Sequence, residues 1–269
     1  MASTRRHWLH VATAWGLAAG HRRLAAGDMP LPLRVGFITP YPPFSAIDPN
    51  SGDVDGFDVQ VVKAWAQHER HTLQTRSGQA PEVLAWLAQG HIDFIGNQLL
   101  ATPDLRERFI FATGYVDLRL ILCQREDDER DFLSLEDFLG HRLGVLSGTA
   151  ADVQGTAVLG QDVTRFNSTQ AGMAALLAGD IDAFIDESLI LDHLIFKQRL
   201  AVKTTTPFSP PIRTGWAVAP KNRALRERLN QGVAWLKSSG ALRGISEAWF
   251  GYDVSQKRAG AWVGNPNKP

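Results

Sequence analysis

One stretch of this chain occurs twice. Leu87-Ala88-Gln89-Gly90-His91-Ile92-Asp93-Phe94-Ile95 reads as a helix end, a glycine stop and a strand. Leu177-Ala178-Gly179-Asp180-Ile181-Asp182-Ala183-Phe184-Ile185 reads the same way, with one residue fewer before the glycine. Glycine stops helices because it takes left-handed backbone without a Cβ penalty. A helix–Gly–x–Ile–Asp–strand unit in each half predicts two similar α/β lobes, each closing its own core.

The runs around these units keep the same alternation. Leu33 to Phe37 is a short β run, and Phe57, Val61 and Trp65 fall on one face of a helix starting near Gly56. Thr72–Thr75 is a second strand, Pro81–Gln89 a helix with proline in its first turn, and Ile92–Ile95 a strand. In the second half Arg142–Leu146 is a strand. Ser168 caps a helix carrying Met173, Leu176 and Leu177, and Ile181–Ile185 is the strand after it. Thr214–Val218 is a last strand. Two helices follow, with apolar stripes at Leu225, Leu229, Val233 and Leu236, then at Leu242, Ile245 and Trp249. The tail from Gln256 is rich in Gly, Pro and Lys and is expected to fray.

Composition excludes several classes. The 269 residues hold 28 basic and 28 acidic side chains, so a generally basic nucleic-acid or membrane-surface binder is not expected. One cysteine, Cys123, allows neither an internal disulfide nor a cysteine-cluster zinc site, and its strand-like setting reads as core. No H-E-x-x-H, Walker A or G-x-S-x-G sequence occurs, so no metal or other cofactor is expected and no nucleotide hydrolysis. Residues 1–29 carry Arg5-Arg6, a mildly apolar stretch from Val11 to Gly20 and a small-residue exit at Ala25-Ala26-Gly27. That order reads as an export signal of the twin-arginine kind, removed near Gly27.

Open α/β sheets bind ligands beyond the carboxyl ends of their strands. Just past the two equivalent strands lie Gly96-Asn97-Gln98 and Asp186-Glu187-Ser188. If the two lobes face one another, both groups line one cleft.

An ordered set of motifs now gives a specific resemblance. They are Pro40-Tyr41-Pro42-Pro43-Phe44 with Gly56-Phe57-Asp58-Val59, then Ile92 to Ile95 with Thr102-Pro103, then Ser147-Gly148-Thr149, then Ile181-Asp182-Ala183 with Asp186. Over about residues 31–254 the chain resembles periplasmic solute-binding proteins of the polar amino-acid ABC transporter family. Asn97-Gln98, Asp186-Glu187 with Leu191-Asp192, and the ending Phe250 to Ser255 resemble its cystine-binding branch. The resemblance implies a two-lobed α/β periplasmic binding protein type II fold with an interlobe ligand cleft and a two-crossing hinge. Lobe 1 would be 31–117 with 213–269, and lobe 2 would be 118–212. It implies a monomer that delivers a small amino-acid-like ligand, cystine among the candidates, to an inner-membrane permease and its ATPase.

Carried over residue by residue, the family's site falls on Tyr41, Phe44, Asn97, Gln98, Leu100, Arg106, Ser147, Thr149 and Asp186. Asp186 matches the carboxylate that holds the ligand ammonium, or it caps the helix that follows. Ser147 and Thr149 open a helix whose backbone amides suit a carboxylate, and Tyr41 or Phe44 supplies an aromatic face. The family commonly reads Thr-Pro-Glu-Arg, with the arginine clamping the ligand carboxylate. Here Leu105 holds that position and Arg106 comes one residue later, turned by about 100° around a helix. Leu100 replaces a hydroxyl residue usual near the ammonium. Either the clamp has shifted to Arg106, which the unbalanced carboxylate charge favours, or it is absent. Two other roles remain on this scaffold. One is a cyclohexadienyl-dehydratase-like enzyme using Glu187 or Asp186 as its acid. The other is a sensory module, which would need a separate signalling partner.

Overall fold

The computed structural model describes residues 32–256 apart from 133, 161 and 206–208. The signal expected at 1–29 and the tail beyond Gln256 lie outside the described residues.

The chain builds two five-stranded sheets with the same internal plan. The first begins with β1 (Leu33–Ile38). A short hairpin follows, β2 (Ala46–Ile47) with β3 (Val54–Asp55), and leads into helix α1 (Phe57–His68). Next come β4 (Leu73–Gly78), α2 (Ala80–Gln89), β5 (Phe94–Leu100), α3 (Pro103–Arg108) and β6 (Ile110–Phe111). The chain then forms the second sheet. Its elements are β7 (Leu120–Arg125), β8 (Leu143–Leu146), α4 (Ala150–Leu159), β9 (Val163–Phe166), α5 (Thr169–Ala178), β10 (Ala183–Glu187), α6 (Ser188–Gln198) and β11 (Val202–Thr204). It returns to the first sheet as β12 (Thr214–Val218) and ends with α7 (Arg223–Ser238) and α8 (Ala241–Phe250).

The strand orders are β4-β1-β5-β12-β6 and β9-β8-β10-β7-β11. In each, three parallel strands are followed by one antiparallel strand, β12 or β7, and then by a fifth antiparallel to that one. Helices cover both faces of each sheet, so the central strands are buried almost throughout. Trp65, Trp216, Phe57 and Phe250 fill the core under α1, α7 and α8, while Val83, Leu87, Ile95 and Phe109 fill the opposite face. Cys123 is a buried member of the second sheet's core, beside Met173 and Phe184.

The repeated unit has one packing logic in both halves. Gly90 and Gly179 end α2 and α5 in left-handed backbone. The strands then start two residues later than expected, at Phe94 and Ala183, because Ile and Asp of each unit do other work. The Asp93 carboxylate accepts from the Arg34 backbone N–H at 2.8 Å and from its guanidinium at 2.7 Å. Asp182 holds the Arg142 backbone N–H at 2.9 Å and its guanidinium at 3.0 Å. The isoleucines lie over glycines of the neighbouring strands: a Cβ on Gly36 would strike Ile92, and one on Gly144 would strike Ile181. Sequence periodicity had not marked β6, β9, β11 or the β2–β3 hairpin. All are short, from two to four residues, and too brief to show an alternation.

Gly144→Ala is therefore expected to destabilise the fold by about 1–3 kcal/mol through overpacking. The new methyl would sit 2.5 Å from Ile181 Cδ1 and 2.9 Å from the Phe166 ring. Urea unfolding checks this, and in the Ile181→Ala background the cost should shrink, because the struck atom is gone. Equal costs in both backgrounds would show that the two residues do not compete for space.

Candidate functional site

In the first sheet the parallel strands β1 and β5 end at Ile38 and Leu100, so the Tyr41 loop and Gln98 share one edge. In the second, β8 and β10 end at Leu146 and Glu187, which puts Ser147–Thr149 and Asp186–Glu187 at one edge. The two edges meet: the Tyr41 hydroxyl donates to the Glu187 carboxylate at 3.3 Å.

On the first side a buried carboxylate organises the groups. Asp58, in the first turn of α1, is fully buried and has no cation partner among the described residues. It accepts from the Tyr115 hydroxyl at 2.5 Å, the Asn97 amide at 3.2 Å and the Gln98 backbone N–H at 3.1 Å. Burial dominates, and the carboxyl is pushed up to about 7 in spite of those donors. Asn97 is saturated, because its oxygen also takes the Ile38 N–H at 2.7 Å and its nitrogen also reaches Ser45 Oγ at 2.7 Å. Gln98 is the opposite case: its side chain is buried, yet neither its amide oxygen nor its amide nitrogen has a hydrogen-bond partner. Leu100 is 42% exposed. Tyr41 is half-buried, its ring centroid 4.8 Å from that of Phe44. Phe44 itself is completely enclosed, against Phe57 and Phe250. It supports Tyr41 from behind and presents no surface of its own.

On the second side Asp186 is 2% exposed and accepts from Thr169 Oγ1 at 2.5 Å and from the Glu187 N–H at 2.7 Å. Burial raises its pKa. Glu187 stands at the N-cap position of α6 without a side-chain cap hydrogen bond, and burial, then the Asp186 charge, push its carboxyl up to about 7. Neither acid has a cation partner among the described residues. Ser147 is exposed and Thr149 half-buried. Thr149 caps α4 as expected, accepting from the Asp152 N–H at 3.4 Å. The anion position at this helix start is already occupied in part. Asp152 Oδ2 accepts from the Gly148 N–H at 3.0 Å, and Arg165 pairs with Asp152 at 2.9 Å.

Leu105 and Arg106 part company. Leu105 is half-buried and packs against the core cluster that holds Val83 and Phe109. Arg106 is exposed and lines a groove with Arg213 and Arg226; none of Tyr41, Gln98, Ser147, Thr149 or Asp186 lines that groove. The structure thus brings Tyr41, Gln98 and Asp186 toward Glu187 and leaves Arg106 elsewhere. Three participants escaped the sequence reading. The spacing of Thr149 to Asp152 is that of a capping box and could have flagged Asp152. Tyr115 has no local signal, and Asp58 reads as an ordinary first-turn acid. Among the described residues no group of three His, Cys, Asp or Glu side chains could hold a metal.

The family model for bacterial extracellular solute-binding proteins, family 3, matches residues 33–252. The chain belongs to that family. The L-cystine-binding protein TcyJ of Escherichia coli (strain K12) is 26% identical over 225 residues, which are 83% of this chain and 84% of that protein. The ABC transporter arginine-binding protein 1 of the same organism is 27% identical over 224 residues, 81% of this chain and 90% of its own length. The fold is that of the L-cystine solute receptor of Neisseria gonorrhoeae in its unliganded open conformation, with a TM-score of 0.73 at 22% identity, covering 83% of this chain and 94% of that one. The expected type II binding-protein fold is therefore the one present, and its relatives are amino-acid substrate-binding proteins of ABC transporters. No described helix is long and apolar enough to cross a membrane.

The raised acids give a pH signature. A carboxyl with a higher pKa folded than unfolded binds its proton more tightly in the native state. Its contribution is full below the unfolded value and is lost as pH rises through the folded one. Glu187, from 4.5 to about 7, and Asp58, from 3.8 to about 7, act in the same direction. The melting temperature of the ligand-free protein should fall between about pH 5 and about pH 8. Glu187→Gln should flatten that fall, and an unchanged slope in the variant would remove Glu187 from the account.

Proposed function

We propose that this chain captures a small polar amino acid between two lobes and hands it to an ABC permease worked by a separate ATPase in the inner membrane. The lobes are 31–117 with 213–269, and 118–212. In this reading the chain acts as a periplasmic monomer after residues 1–29 are removed as an export signal. Closure would turn on the two crossings, near Val116 and near Ile212, since the chain passes between the sheets twice.

One observation carries the reading: Asp186, buried, and Glu187, half-buried, are adjacent and have no cation partner among the described residues, at the strand edge where the first sheet's Tyr41 arrives. A bound ammonium would supply the missing positive charge, and charge-assisted bonds in such a setting are the strong kind. The Gln98 amide offers a donor and an acceptor that nothing among the described residues uses. Cystine, which TcyJ is named for binding, would bring such an ammonium. The ligand carboxylate is left to the first-turn amides of α4, without an arginine clamp.

A second reading has Glu187 in its favour. A carboxyl near 7 is a competent general acid at neutral pH, as an elimination enzyme on this scaffold would need. Product formation from prephenate or arogenate would establish it, and calorimetric binding without turnover would set it aside.

Asp186→Asn should weaken binding by on the order of 2–5 kcal/mol, the cost of leaving a desolvated ammonium without its charge partner. A thermal-shift screen of amino acids with cystine included finds the ligand, and calorimetry on the variant checks the loss. Arg106→Ala should change affinity by less than about 1 kcal/mol, as for an exposed charge. A large loss there would restore the shifted clamp.

A further inference from the structure

The groove that holds Arg106 has a chemistry of its own. Its volume is about 490 Å³, within the range of small-molecule sites. It lies along the two connections between the sheets, beside the β12 start and the first turn of α7. Arg106, Arg213 and Arg226 all line it, and no acidic side chain does. None of the three makes an ion pair with any of the described residues. The Arg226 Nε is shielded from solvent and has no hydrogen-bond partner. Thr214 also lines the groove; it is 8% exposed, and its hydroxyl is buried without a partner. Buried polar atoms are ordinarily paired, so two orphans on one groove mark a place where a ligand completes the bonding. The remaining wall is apolar, with Phe111 and Ile212 among its residues.

We infer that this groove is a second binding site, separate from the cleft between the strand edges, and that it takes an organic dianion with a compact apolar body, of the aromatic dicarboxylate class. Each feature selects part of that ligand. Planar guanidinium groups match carboxylates two bonds at a time. Three of them without any acid favour more than one negative charge. The Thr214 hydroxyl donates to a carboxylate oxygen, and the apolar wall covers the body, which a small inorganic anion would leave bare. The inference does not depend on what the cleft binds.

The test is isothermal calorimetry on the full chain with phthalate, benzoate and inorganic phosphate at low salt. Phthalate should bind more tightly than either of the others and should weaken as salt rises. Arg213→Ala and Arg226→Ala should each weaken it about fivefold, the worth of one partly exposed charge contact. Thr214→Val keeps the shape and removes the hydroxyl, so it should weaken phthalate too; if it does not fold, the arginine variants decide alone. The thermal shift given by cystine or another cleft ligand should be the same in Arg213→Ala as in the parent. Absence of phthalate binding at millimolar concentration would overturn the inference. So would phthalate binding that both arginine variants leave unchanged, or phosphate binding as tightly as phthalate.

Discussion

A carboxylate without a cation sits at the centre of the first sheet's edge. Moving Asp58 out of water costs several kcal/mol unless hydrogen bonds repay it, and three donors from two other parts of the chain do so. Tyr115 comes from the segment leaving the sheet, Asn97 and the Gln98 backbone come from the end of β5, and Asp58 belongs to the start of α1. That one group therefore fixes the register of the strand end against the helix and against the outgoing connection. Asn97 extends the same network to Ile38 and Ser45, which frame the Tyr41 loop. The Gln98 backbone is held by the same network, while its amide has no hydrogen-bond partner among the described residues.

The opposite edge applies the same economy of donors with less compensation. Asp186 has a hydroxyl and one backbone N–H; Glu187 has a distant phenol. Adjacent acids in a poorly solvated place repel each other, and the pair raises its proton affinity to escape. An ammonium relieves both the repulsion and the desolvation at once, whereas a neutral ligand relieves neither. Asp152 works against an anion in the same neighbourhood, because it already uses part of the α4 helix start and carries its own arginine. The charge balance of the cleft therefore favours the amine end of a ligand over its carboxylate end.

Much of this was legible in the sequence, and the limits have physical causes. The doubled Gly–x–Ile–Asp unit announced two matching sheets because its residues act locally: glycine ends the helix, and the strand follows within a few residues. The function of its Ile and Asp was not legible. Both reach across to a neighbouring strand, to Gly36 and Arg34 in one half and to Gly144 and Arg142 in the other. The cap at Thr149 was legible, but the strand ends were not: Gly96–Gln98 and Asp186–Glu187, expected just past the strands, lie within them, because β5 runs on to Leu100 and β10 to Glu187. That Phe44 faces inward while Tyr41 reaches Glu187 was not legible either, since both lie in one proline-rich loop and only tertiary packing separates them. The network of Asp58 with Tyr115 spans 57 residues, beyond any local pattern.

The departure at Leu105 shows how a one-residue shift propagates. Thr102 caps α3 and fixes where its turn begins. With the cap fixed, the position three residues on faces the core, and there leucine packs where a charged group would be costly. Arginine at the next position is carried around the helix to the side of Arg213 and Arg226. The strand edge at Asp186 and Glu187 keeps two acids without a cation partner among the described residues, and the groove has three arginines and no acid among its lining residues. Two opposite fields along one domain edge allow a cation and an anion to be held at once without competing for the same donors.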